Sequence, residues 1–170
     1  MDNYNSFNII NKLKEINEPY ISVTEMNNSK YVKDTLKFED WDDYFLAKEE
    51  NYKSNTYYHL DGEHSVQEEY SGVGKGYYLG KDKNALIRFY DLEQIGLKVS
   101  VHIMKPKWFN LMKQESFDKF REIFKENGIN IINSAEVGGI FIKMGYDGIR
   151  YYDVMATGEE FVLFNLNLLH

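Results

Sequence analysis

Apolar positions recur along this chain at two spacings, and the switches between them mark its elements. Phe7, Ile10, Leu13 and Ile16 stand three apart within residues 4–17, which predicts a short amphipathic helix. YISVTEM then reads as a strand. Residues 39–50, EDWDDYFLAKEE, read as a helix with an acidic start and an apolar face. NTYYHL at 55–60 is aromatic-rich and strand-like. Residues 71–76, SGVGKG, form a glycine-rich loop. DKNALIRFYD reads as a helix with Asp82 near its N-cap. In GLKVSVHIM at 96–104, Leu97, Val99, Val101 and Ile103 alternate onto one face of a strand. ESFDKFREIFKENG is an amphipathic helix stopped at Gly128, and residues 134–144 form a shorter one. Two strands close the pattern, at 146–153 and 159–165, joined by VMATG.

Helices and strands alternate, yet the last two strands are nearly contiguous. A short turn joins antiparallel neighbours, whereas parallel ones need a long crossover. The pattern therefore predicts an α+β domain with antiparallel pairing rather than a doubly wound parallel sheet. A length of 170 residues suits one domain with a small N-terminal addition.

Composition narrows the function classes. The 43% hydrophobic content supports a packed core, and the formal charge of −7 opposes sequence-independent nucleic-acid binding, which needs a basic surface. The absence of cysteine excludes disulfides, thiolate nucleophiles and cysteine-based metal sites. No run of 18 apolar residues occurs, so no membrane span is expected. MDNYNSFNIINKLKEIN lacks the basic and apolar regions of a signal peptide, so a cytoplasmic location is expected.

Several chemistries find no pattern. The histidines are His59, His64, His102 and His170, with no HExxH spacing. His59 and His64, five apart, share neither a helix face nor a strand face, so no metal is expected. GVGKGYY is neither a P-loop nor a completed dinucleotide fingerprint, and no nucleophile elbow is present. What remains is His59 at the end of an aromatic strand, Tyr77 and Tyr78 after the glycine loop, and the acids Asp153, Glu159 and Glu160. Taken singly, each suits an ordinary structural role. Their order along the chain suggests more.

GKGYYLGKDKNALIRFY resembles the segment of poly(ADP-ribose) polymerase catalytic domains in which G-K-G-x-Y-F precedes a helix. GEEFVLFN resembles their N-E-Y-x-V-Y-D strand, which carries the catalytic glutamate. YYHL lies where that family has an H-G-(S/T) strand. The span from LKVSVHIMKPKWFNL to MGYDGIRYYD looks closer to ADP-ribosyltransferase domains of phages and mobile elements. The resemblance covers about residues 55–167 and points to the His–Tyr–Glu branch of ADP-ribosyltransferases. It implies a core of two small facing sheets, mixed or antiparallel, with flanking helices. It also implies a catalytic domain over 51–170, with residues 1–50 as a helical portion packed on the core.

Carried over residue by residue, His59 would bind ribose, Tyr78 would stack on nicotinamide and Glu160 would be the catalytic acid. Asp153 is the second candidate, because some phage-type members place the acid shortly after GYDGI. Leu60 stands where the family has a glycine whose backbone holds the carboxamide, so its side chain must point away. Gly74, Lys75, Gly76 and Tyr77 would complete the NAD⁺ site, with loop N–H groups and Lys75 facing the phosphates.

The implied reaction breaks the nicotinamide–ribose bond of NAD⁺ through an oxocarbenium-like state. A carboxylate beside the developing cation stabilises it. A tyrosine face attracts the pyridinium before cleavage. NAD⁺ would be the substrate, a macromolecule such as a protein would accept a single ADP-ribose per site (mono-ADP-ribosylation), and no metal would be required. The alternatives are an NAD⁺ glycohydrolase and a binding module without catalysis. The Asn-, Lys-, Ile- and Tyr-rich composition suggests an AT-rich genome, so a phage or bacterial effector acting in a host cytoplasm is the expected context.

Overall fold

The computed structural model describes residues 6–17, 55–61, 72–81, 83, 98–132, 134–153 and 158–169. The predicted strand YISVTEM, the helix at 39–50 and all but one residue of the helix at 82–91 lie outside the described residues.

Helix α1 runs Ser6–Ile16. Its buried stripe is Ile9 and Leu13, four apart, with Ile10 and Ile16 packed at the margin. Phe7, expected on that face, is 73% exposed. Helices α2 (Gln114–Glu126) and α3 (Ala135–Lys143) lie within a residue or two of their sequence limits. Gly128 takes the left-handed conformation at φ 78°, which turns the chain after α2.

The strands are β1 (Thr56–Asp61), β2 (Tyr77–Leu79), β3 (Lys98–Ile103), β4 (Trp108–Leu111), β5 (Gly148–Asp153) and β6 (Gly158–Leu163). They form two sheets: an antiparallel pair β1–β3, and a four-stranded sheet ordered β2-β6-β5-β4. In the larger sheet β6 pairs antiparallel with both β2 and β5, while β4 pairs parallel with β5. The architecture is therefore mixed α+β. The two sheets meet where Tyr58 and Gly80 exchange backbone hydrogen bonds of 2.8 and 2.9 Å.

Strand alternation divides the core. Val162, Ile149, Tyr151 and Phe109 join helix residues Ile9, Leu13, Phe120, Phe124 and Phe141 in a first cluster. Phe161 and Leu163, on the opposite face of β6, join Tyr57, Leu79 and Met104 in a second. The apolar face expected on β3 is the outward one: Val101 is 53% and Ile103 75% exposed. On its other face His102 reaches Tyr77, at 5.3 Å between ring centroids. Among the described residues, no helix is long and apolar enough to cross a membrane.

Candidate functional site

The glycine loop is shaped first by packing. Gly74 has φ 102°, and a Cβ there would stand 2.9 Å from Val137 Cβ. A Cβ on Gly76 would stand 2.7 Å from Val162 Cγ1 and 2.8 Å from the Leu163 carbonyl oxygen. These glycines let the loop lie flat on α3 and β6. Two backbone donors expected to face phosphates are engaged internally. Lys75 N–H donates to Ser134 O at 2.8 Å, and Val73 N–H donates to the Tyr78 hydroxyl at 3.0 Å. The Lys75 residue itself is exposed.

The Tyr78 hydroxyl in turn donates to Gly74 O at 2.8 Å. Its ring packs against the first cluster, so Tyr78 fastens its own loop. Tyr78→Phe should therefore cost about 1–3 kcal/mol, because the buried Val73 loses its acceptor and Gly74 O its donor. Chemical denaturation checks this. A variant as stable as wild type would show that the hydroxyl does not hold the loop.

Ser134 anchors the loop from the start of α3. Its hydroxyl also donates to Glu136 Oε2 at 2.6 Å. That bond, with a second from the Glu136 backbone N–H, holds the Glu136 carboxyl below its ordinary range. The resulting stability is full above the ordinary carboxylate range and is lost as pH falls through the lowered pKa. Glu136 is exposed, so the effect is under about 1 kcal/mol. The melting-temperature difference between wild type and Ser134→Ala should accordingly shrink on acidification. A difference that grows at acidic pH would contradict this.

His59 is buried, at 6% exposed. Its ring stacks on Tyr77 at 3.8 Å and 21°. Nδ1 lies 2.8 Å from Tyr78 O. A carbonyl only accepts, so Nδ1 carries a proton and donates to it. Tyr77 Oη lies 3.0 Å from His102 Nε2. The ring that meets His59 is thus Tyr77, while Tyr78 meets it through the backbone. Leu60 is buried and alternates to the face of β1 opposite His59, the same face as Tyr58, rather than away from that side as expected.

Glu160 is half-buried, and Tyr151 Oη donates to its Oε2 at 2.5 Å. The two are cross-strand partners in the β5–β6 register. Leu79 pairs with Phe161, so the next rung of the β2–β6 register sets Gly80 beside Glu160. Gly80 in turn bridges Tyr58. One rung therefore runs Tyr58–Gly80–Glu160–Tyr151 across four strands, and residues on a rung project to one side. Gly80 is buried and has no side chain, so Glu160 on this rung is flanked by the tyrosines Tyr151 and, beyond Gly80, Tyr58. Tyr78, two residues before Gly80, shares this face. Asp153 ends β5 opposite Gly158, two residues along from Tyr151.

The expected residues thus fall into two groups. Glu160 and Tyr78 share one face with Tyr58 and Tyr151, which the sequence reading did not include. His59 and Tyr77 lie on the other face with His102. Among the described residues, no group of three metal-ligating side chains occurs.

Fold and site together define a mixed α+β protein whose central strands carry a carboxylate–tyrosine rung on one face and a histidine–tyrosine stack on the other. No protein-family model matches the chain, and neither a curated protein nor a solved structure matches it.

Proposed function

We propose that this protein is an ADP-ribosyltransferase that cleaves the nicotinamide–ribose bond of NAD⁺ and transfers ADP-ribose to a protein. The observation that carries the reading is the adjacency of three motif strands far apart in sequence. His59 on β1, Tyr77 and Tyr78 on β2 and Glu160 on β6 lie on neighbouring strands, β1 meeting β2 at Tyr58–Gly80 and β2 pairing with β6.

In this reading Glu160 is the carboxylate that stabilises the oxocarbenium, and the Tyr151 hydroxyl fixes its direction. Tyr58 and Tyr78, on the same face as Glu160, offer ring surface to the pyridinium. His59, expected to bind ribose, lies buried on the opposite face, so in this reading it positions β2 through its Nδ1–H bond to Tyr78 O. Asp153 is the second candidate acid. The effector setting and host-protein target belong to the same proposal.

Labelled NAD⁺, incubated with the protein and a bacterial lysate, tests the reading. Label entering a protein band, with nicotinamide released, supports transfer. Free ADP-ribose without labelled protein would make it a glycohydrolase. Bound NAD⁺ without nicotinamide would make it a binding module. NAD⁺ at about 100 times its dissociation constant should also stabilise the fold by about 2.7 kcal/mol.

A further inference from the structure

A cavity of about 600 Å³ opens between the end of α2 and the start of the glycine loop. Gly72 borders it on the loop side, and Arg121, Lys125 and the segment 128–132 line the rest. It shares no lining residue with the rung or the histidine stack.

Charge sets this cavity apart from the rest of the chain. The protein has 27 acidic against 20 basic residues, yet no acidic residue is among the cavity's described lining residues. Arg121 and Lys125 stand four apart on one helix face, so their side chains are neighbours. Neither forms an ion pair among the described residues, and the Arg121 guanidinium lies 5.8 Å from the centre of the Phe117 ring. A lysine in the last turn also complements the helix dipole, which accounts for Lys125 but not for Arg121 one turn earlier.

The last carbonyls of α2 are capped internally, and Arg121 and Lys125 supply the positive charge at this negative end of the helix dipole. Asn127 Nδ2 donates to Ile123 O, the Asn127 and Ile129 N–H groups donate to Phe124 O, and Gly128 N–H donates to Lys125 O. Buried Ile129 and Ile131 line an apolar side, and Ile132 stands half-exposed beside them.

We propose that this cavity binds a small organic phosphate, with the phosphate on Arg121 and Lys125 and an apolar ring on the isoleucines. A guanidinium meets phosphate oxygens through two parallel N–H donors, and a lysine adds a point charge. The volume exceeds what an inorganic ion needs and falls in the range of small-ligand sites. The site is independent of the proposed NAD⁺ chemistry.

Calorimetry on the full chain at low salt tests it, with phenyl phosphate as probe and inorganic phosphate and phenol as comparators. Phenyl phosphate should bind at least about tenfold more tightly than either comparator. Arg121→Gln with Lys125→Gln should weaken it by on the order of tenfold or more, with the unfolding temperature of the free protein unchanged. Arg121→Gln alone should give part of that loss and serves if the double variant misfolds. Saturating NAD⁺ should leave phenyl phosphate binding intact. Four outcomes overturn the proposal: no heat at millimolar probe, inorganic phosphate binding equally well, affinity untouched by the substitutions, or displacement by NAD⁺.

Discussion

Glu160→Gln is expected to slow nicotinamide release from NAD⁺ by on the order of 10²–10³-fold while leaving NAD⁺ affinity near that of wild type. The substitution keeps the shape of the side chain and can still accept the Tyr151 hydroxyl. What it removes is the negative charge facing the developing cation. That charge matters far more to the transition state than to bound NAD⁺, so the loss should appear in kcat and not in KM. Asp153→Asn is the paired control and should act more weakly. A dead Asp153→Asn beside an active Glu160→Gln would transfer the catalytic role to Asp153. Two variants matching wild type would mean that neither acid carries the chemistry.

Gly148→Ala should be the most damaging single methyl in the described sheet. A Cβ at Gly148 would lie 2.1 Å from the Val162 carbonyl oxygen and 2.5 Å from Trp108 Cζ3. The first contact is with backbone that pairs in the β5–β6 ladder, and the second with a ring held by its indole N–H bond to Tyr57 Oη at 3.0 Å. Neither neighbour can yield without breaking register or the partly buried Trp108–Tyr57 hydrogen bond. Overpacking of this kind typically costs 1–3 kcal/mol, and here strand separation adds to it, for a total of about 4 kcal/mol or more. That is a large part of the 5–15 kcal/mol holding a typical domain together. Chemical denaturation or soluble yield reads the effect. Gly139→Ala is the internal control, because no atom lies within 4 Å of a Cβ there.

What the sequence made legible was local. Helices α2 and α3 follow from short-range apolar stripes, and Gly128 from the left-handed turn that only glycine takes cheaply. The antiparallel pairing of β5 and β6 follows from the brevity of VMATG. β4 was not read as a separate strand: it has four residues, and its parallel partner β5 begins 37 positions beyond the end of β4 (148 − 111 = 37). Period-two alternation found a coherent face on β3 but could not say which face is inside. Ser100 and His102 turn inward because His102 has Tyr77 to bond, while Val101 and Ile103 remain outside.

The candidate site divides the same way. Residue types at motif spacings pointed to His59, Tyr78 and Glu160, and the register then redistributed them. Tyr77 and Tyr78 are adjacent in sequence and so face opposite sides of β2, which is why His59 stacks on the first and not the second. Tyr151 could have been anticipated, because pairing the two strands joined by VMATG, with Asp153 opposite Gly158, sets residue 151 opposite residue 160. Tyr58 could not, since its place beside Gly80 depends on where two sheets meet.

The central claim is that this protein breaks the nicotinamide–ribose bond of NAD⁺. Its most direct test is chromatographic detection of nicotinamide after purified wild-type protein is incubated with NAD⁺, with Glu160→Gln in parallel. Time-dependent nicotinamide from wild type, and little or none from the variant, is the predicted result. No nicotinamide above the protein-free blank, with or without lysate, would contradict the claim.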